Sequence, residues 1–92
     1  MIVGIDTTFL VQHDVKDTPH HEWARRFLLE EVFGRGDTIS LSPQVLSEYI
    51  HVVTDGRRFE RPLPMMEAVE RASTWWYLKE ARRLFRSENT IF

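Results

Sequence analysis

Two short apolar runs, each closed by helix-capping residues, constrain this chain more than any other feature. Ile2-Val3-Gly4-Ile5 is continuous, rich in β-branched residues, and stops abruptly at Asp6-Thr7-Thr8. Such a run suits a strand buried on both faces, as in a parallel sheet. The polar trio behind it suits the cap of a following helix, with Phe9-Leu10-Val11 as its first apolar turn. Thr38-Ile39-Ser40-Leu41 alternates polar and apolar as a second strand, and Ser42-Pro43 places a capping hydroxyl ahead of a proline at the first helical position.

Between and after these junctions the apolar spacing becomes helical. Gln12 to Pro19 is polar and reads as a loop, and Thr18-Pro19 repeats the helix-start signature. Trp23, Ala24, Phe27, Leu28 and Val32 then form one stripe, with Glu22, Arg25, Arg26 and Glu30 outward, until Gly34-Arg35-Gly36-Asp37 ends the helix. Val45, Leu46, Tyr49, Ile50 and Val53 predict a third helix, closed by Asp55-Gly56. Arg57 to Pro64 is a charged loop. Met65, Val69, Ala72 and Trp76 share the stripe of a fourth helix, which places Trp75-Trp76 in the core. Arg82-Arg83-Leu84-Phe85 fits either an extension of that helix or a short strand. The order β-α-α-β-α-α-(β) points to an α/β fold with a small parallel sheet.

The length of 92 residues allows a single domain, taken as residues 1–92. Cysteine is absent, which excludes a disulfide frame, a Cys-ligated zinc and a thiol nucleophile. No apolar run is long enough for a bilayer and no basic-then-apolar leader opens the chain, so no membrane role is expected and a cytoplasmic setting is. A net charge of −2 is not the footprint of a nucleic-acid coat protein. The basic residues are nevertheless grouped, Arg57, Arg58 and Arg61 in one place and Lys79, Arg82, Arg83 and Arg86 in another. Such groups form either solvated edges or local anion-binding patches.

Two acids are placed unlike the rest. Asp6 stands where the first strand runs out, the edge at which ligands bind in open parallel sheets. Glu48 lies one turn into the helix that leaves the same edge of the second strand. Carboxylates so placed can share a hard divalent cation, Mg²⁺ or Mn²⁺. The plainer alternatives are a helix cap for Asp6 and a boundary-face glutamate for Glu48. His13, His20, His21 and His51 show no zinc-binding spacing, and no phosphate-cradling or serine-nucleophile motif occurs.

These residues carry a resemblance. Ile2-Val3-Gly4-Ile5-Asp6-Thr7-Thr8-Phe9-Leu10 resembles the opening of a PIN domain, and Ser42-Pro43-Gln44-Val45-Leu46-Ser47-Glu48-Tyr49 is similar to that family's second motif. Thr54 to Leu63 resembles a subgroup close to the toxins of VapBC toxin–antitoxin pairs. The resemblance implies a three-layer α/β fold and a Mg²⁺- or Mn²⁺-dependent ribonuclease site. Asp6 and Glu48 become its catalytic and metal-holding acids, and Thr8 a supporting hydroxyl. With RNA as the implied substrate, Arg57, Arg58 and Arg61 are candidate contacts to it.

The resemblance also implies a cognate antitoxin and a homodimer or other homo-oligomer. The family's third acid, in an Asp-x-x-hydrophobic-Ala-Ala helix, and its fourth are missing from these 92 residues. The fold is therefore expected to be incomplete at its C-terminus and the chain weak or inactive as a nuclease. On this reading the fourth helix ends near Tyr77–Lys79, Arg82–Phe85 is a strand, and a new helix starts near Thr90. The competing class is a non-catalytic module that self-associates or binds a partner through Met65, Met66, Trp75 and Trp76.

Overall fold

The computed structural model describes residues 1–83. Three parallel strands form one sheet in the order β1 (Ile2–Gly4), β2 (Thr38–Leu41), β3 (Ala81–Arg83). Ile2 pairs with Thr38 and Gly4 with Ser40, while Ile39 pairs with Ala81 and Leu41 with Arg83. Among the described residues four α-helices accompany the sheet: α1 (Thr7–Asp14), α2 (His21–Arg26), α3 (Pro43–Val53) and α4 (Met65–Trp76). The chain is thus mixed α/β, as its strand and helix signals predict. Among the described residues no helix is long and apolar enough to cross a membrane.

Burial sorts the strands differently from the sequence reading. Among the described residues only β2 has strand neighbours on both sides, and its Ile39 and Leu41 are fully buried. β1 lies at the sheet edge with Ile2 47% exposed, so the apolar N-terminal run is not a strand covered on both faces. β3 begins at Ala81, one residue before the expected start. The expected strand end at Leu84–Phe85 and the helix near Thr90 lie outside the described residues.

Both strand-to-helix junctions cap as their residues predict. The Asp6 carboxylate accepts from the Phe9 amide at 2.9 Å, and the Ser42 hydroxyl accepts from the Val45 amide at 3.2 Å ahead of Pro43. The third junction does not. α2 starts at His21, and the Thr18 hydroxyl donates backwards to the Val15 carbonyl at 2.7 Å. Gln12 does the capping instead, its side-chain oxygen accepting from the His20 amide at 2.9 Å. Gln12, His13 and Asp14 are therefore the last turn of α1 and not a loop.

α2 widens into a π-helical segment over Phe27–Val32 and closes as a 3₁₀ turn, Phe33–Arg35. At Gly34 in this exit a Cβ would lie 3.0 Å from the Leu29 carbonyl oxygen, a tight approach to backbone that would have to give by a few tenths of an ångström. Gly36 then takes φ 79°, a left-handed conformation open to glycine without strain. The buried stripe is Ala24, Leu28 and Val32. Trp23, at the margin of that stripe, is 59% exposed and stacks on Phe27 with centroids 5.1 Å apart.

The core joins Leu10 of α1, Leu46, Tyr49 and Val53 of α3, Ala68, Ala72 and Trp75 of α4, and the buried residues of β2. On α4 the inward face keeps Ala72 of the predicted stripe but otherwise turns to Ala68 and Trp75. Met65 and Val69 are exposed, Trp76 is half-buried, and Trp75 is 6% exposed. A polar contact sets this rotation. The Trp75 Nε1–H donates to Asp14 at 2.9 Å, and Ala68 and Ala72 permit close approach of the helix.

Asp14 is the polar centre of the packing. Its Oδ2 accepts from the Tyr49 hydroxyl at 2.7 Å and from Trp75, and its Oδ1 lies 2.8 Å from His13 Nδ1. Burial pushes its pKa up, but the hydrogen bonds from His13, Trp75 and Tyr49 and the attraction of His13 outweigh burial and hold it below 3.8. Burial and the Asp14 carboxylate push the Tyr49 hydroxyl pKa upward.

Asp14→Ala leaves two buried donors without an acceptor, and urea unfolding is expected to show a loss of about 2–5 kcal/mol. Because the folded pKa is depressed, the carboxylate's stabilisation is complete above an unfolded pKa of about 3.9 and is lost as pH falls through the folded value. Unfolding scans below about pH 4 should show that loss in the native chain and not in Asp14→Asn.

Candidate metal centre at the sheet edge

The first strand delivers Asp6 to the carboxyl end of the sheet, where the Ile5 amide still bonds the Ser40 carbonyl at 3.2 Å. Asp6 turns the chain into α1 by capping it through Oδ1, and Oδ2 has no protein partner among the described residues. α3 leaves the adjacent strand and presents Glu48 toward the same region. Thr7, the residue after Asp6, ties the start of α1 to α3: its hydroxyl donates to Glu48 Oε1 at 3.3 Å with the Val45 carbonyl at 3.5 Å. The second Glu48 oxygen is free of protein hydrogen bonds among the described residues. Both acids are exposed.

Thr7, which nothing in the sequence singles out, is thus the hydroxyl that meets Glu48. Thr8 is exposed and makes no side-chain hydrogen bond among the described residues. Two carboxylates, each with an uncommitted oxygen, match the donor chemistry of a hard divalent cation that keeps several waters. Among the described residues no group of three His, Cys, Asp or Glu side chains gathers here or elsewhere to complete a protein cage.

The arginines divide. Arg57 donates from its backbone amide at 2.9 Å and from Nε at 3.2 Å to Asp55, and Arg58 Nε lies 3.6 Å from the other Asp55 oxygen. The Arg57 backbone and side-chain bonds hold the Asp55 pKa below its usual value. Only Arg61 of the three makes no ion pair among the described residues, and it points to a different pocket.

A cavity of about 760 Å³ lies away from the acid pair. It opens between the last turn of α1, the α2 segment and α4, with His13, Asp14, Arg71 and Trp75 in its wall. Asp14 was read as part of a loop. The signal that could have found it is that Tyr49 and Trp75 both lie in apolar helices with polar atoms needing a partner.

Asp6 is a helix cap and a candidate cation ligand, and the two roles are separable. Asparagine caps a helix about as well as aspartate, so Asp6→Asn should change stability by less than about 0.5 kcal/mol, whereas Asp6→Ala should lose about 1 kcal/mol. Both should abolish divalent-cation binding, measured by calorimetry. Retained binding in Asp6→Asn would remove Asp6 from the metal site.

No family model matches the chain, and no curated protein matches it in sequence.

Proposed function

We propose that this chain belongs to a metal-dependent ribonuclease of the PIN type, akin to the VapC toxins, with the three-layer α/β fold of that family. The observation that carries the reading is the Thr7–Glu48 hydrogen bond, which ties the residue next to Asp6 to the second acid where two parallel strands give way to helices. Asp6 and Glu48 hold Mg²⁺ or Mn²⁺ through their free oxygens. A cation held there neutralises phosphodiester charge and makes water more acidic. Asp6, tied to the Phe9 amide, is the rigid ligand, and Glu48 is oriented by Thr7. RNA is the substrate, and a cognate antitoxin is the regulatory partner.

Two carboxylates are half of the acid set that the resemblance implies, so this chain binds the cation weakly and turns RNA over slowly or not at all. Titration with Mn²⁺ should raise the unfolding temperature, with a stabilisation of about 1.4 kcal/mol at ten times the Kd. Glu48→Gln and Asp6→Asn should cancel the shift. An unchanged unfolding temperature at millimolar Mn²⁺, or an equal shift in Glu48→Gln, would contradict the assignment.

A second reading, an interaction module that self-associates, draws on α4. Met65, Met66 (79% exposed) and Val69 leave an apolar surface there, and among the described residues β1 has a strand neighbour on one side only. Trp75 cannot contribute to such a contact because it is buried against Asp14. Sedimentation tests the self-associating module: a monomer excludes it, and a dimer that dissociates in Met66→Lys places the contact on α4, though a dimer alone is also what the ribonuclease resemblance implies.

A further inference from the structure

A second pocket, of about 570 Å³, lies at the opposite end of α1 from Asp6, about 10 Å along the helix axis. Four cationic side chains from four separate segments line it: Lys16 after α1, Arg25 on α2, Arg61 after α3 and Arg71 on α4. Cations on a solvated helix face would come from one element at regular spacing. Here the fold gathers them from distant parts of a chain whose net charge is −2.

Their engagement differs. Lys16, Arg25 and Arg61 make no ion pair or side-chain hydrogen bond among the described residues. Arg71 is fixed in place, Nε and Nη2 donating to Glu67 Oε2 at 3.2 and 2.9 Å and Nη1 lying 3.5 Å from the Asp14 carbonyl. Two acids also line the pocket. Asp14 has both carboxylate oxygens committed to His13, Tyr49 and Trp75, and Asp17 is exposed. Val53, Phe59 and Leu63 supply an apolar wall. Beside such a wall a guanidinium's attraction for an anion is less screened than in open water.

We propose that this pocket binds a phosphate group, with Arg25 and Arg61 as its principal ligands, Arg71 as a pre-positioned donor and Lys16 as a further charge. The planar fork of arginine matches two phosphate oxygens at once. The volume leaves room for whatever the phosphate is attached to. The proposal does not use Asp6 or Glu48 and stands apart from the metal reading.

The test is calorimetric titration of the full chain with inorganic pyrophosphate in metal-free buffer. One saturable site is expected, weakened at least about tenfold in Arg25→Gln/Arg61→Gln, which corresponds to about 1.4 kcal/mol. Arg57→Gln/Arg58→Gln and Glu48→Gln should bind as the native chain does. Circular dichroism should show the native spectrum for the exposed-site variants; Lys16→Gln and the single variants provide a graded series if the double variant is unfolded. A short single-stranded oligoribonucleotide that displaces pyrophosphate assigns the site to a phosphodiester backbone. One that does not assigns it to a free phosphorylated ligand. Absence of saturable binding, or equal affinity in every folded arginine and lysine variant, would overturn the proposal.

Discussion

The Asp14 carboxylate accepts from the Tyr49 hydroxyl of α3 and the Trp75 indole of α4 while its own backbone ends α1. One side chain, 9% exposed, therefore fixes the relative placement of three helices. Burying a charge is costly unless every lone pair is used, and here His13, Tyr49 and Trp75 supply the donors. Satisfied in this way, the group does what apolar packing alone does poorly: it selects one rotation of α4 and one register of α1 against α3. The Thr7–Glu48 bond is the consequence at the other end of α1, since anchoring that helix at Asp14 aligns its first turn with α3.

This arrangement explains which parts of the structure were legible in the sequence. The two strand-to-helix junctions could be read because their determinants are local: a β-branched run, a capping Asp or Ser, and a proline. The stripe of α3 could be read for the same reason, and Leu46, Tyr49 and Val53 are its buried residues. The last turn of α1 and the rotation of α4 could not, because both depend on Asp14 meeting side chains 35 and 61 positions away. Gln12 as the cap of α2 depends likewise on a contact across a turn. Trp23 shows a different limit. Helical periodicity placed it on the apolar stripe, but the stripe is narrower than its apolar residues, and an aromatic pair with Phe27 covers it in part.

The candidate site was half visible. Asp6 and Glu48 stand out by position relative to predicted strands, yet spacing alone cannot say whether two helices bring their acids together. Thr7, the neighbour of Asp6, is what meets Glu48, and it lies beside the residue whose hydroxyl the family resemblance suggested. The division of the arginines was invisible for a related reason. Arg57 and Arg58 fold back on Asp55, whereas Arg61 reaches a pocket assembled from four segments. The molecule thus has an acidic pair at one end of α1 and a cationic pocket at the other, with the Asp14 network between them.

The most direct test of the shared-cation site is nuclear magnetic resonance of the chain with substoichiometric Mn²⁺, whose unpaired electrons broaden nearby amide signals. The account predicts selective loss of the Asp6–Phe9 and Val45–Tyr49 signals, with those around Asp14 and Arg61 retained. Broadening centred on Asp14 or Asp55, or none that distinguishes the two acids from the remaining carboxylates, would contradict it.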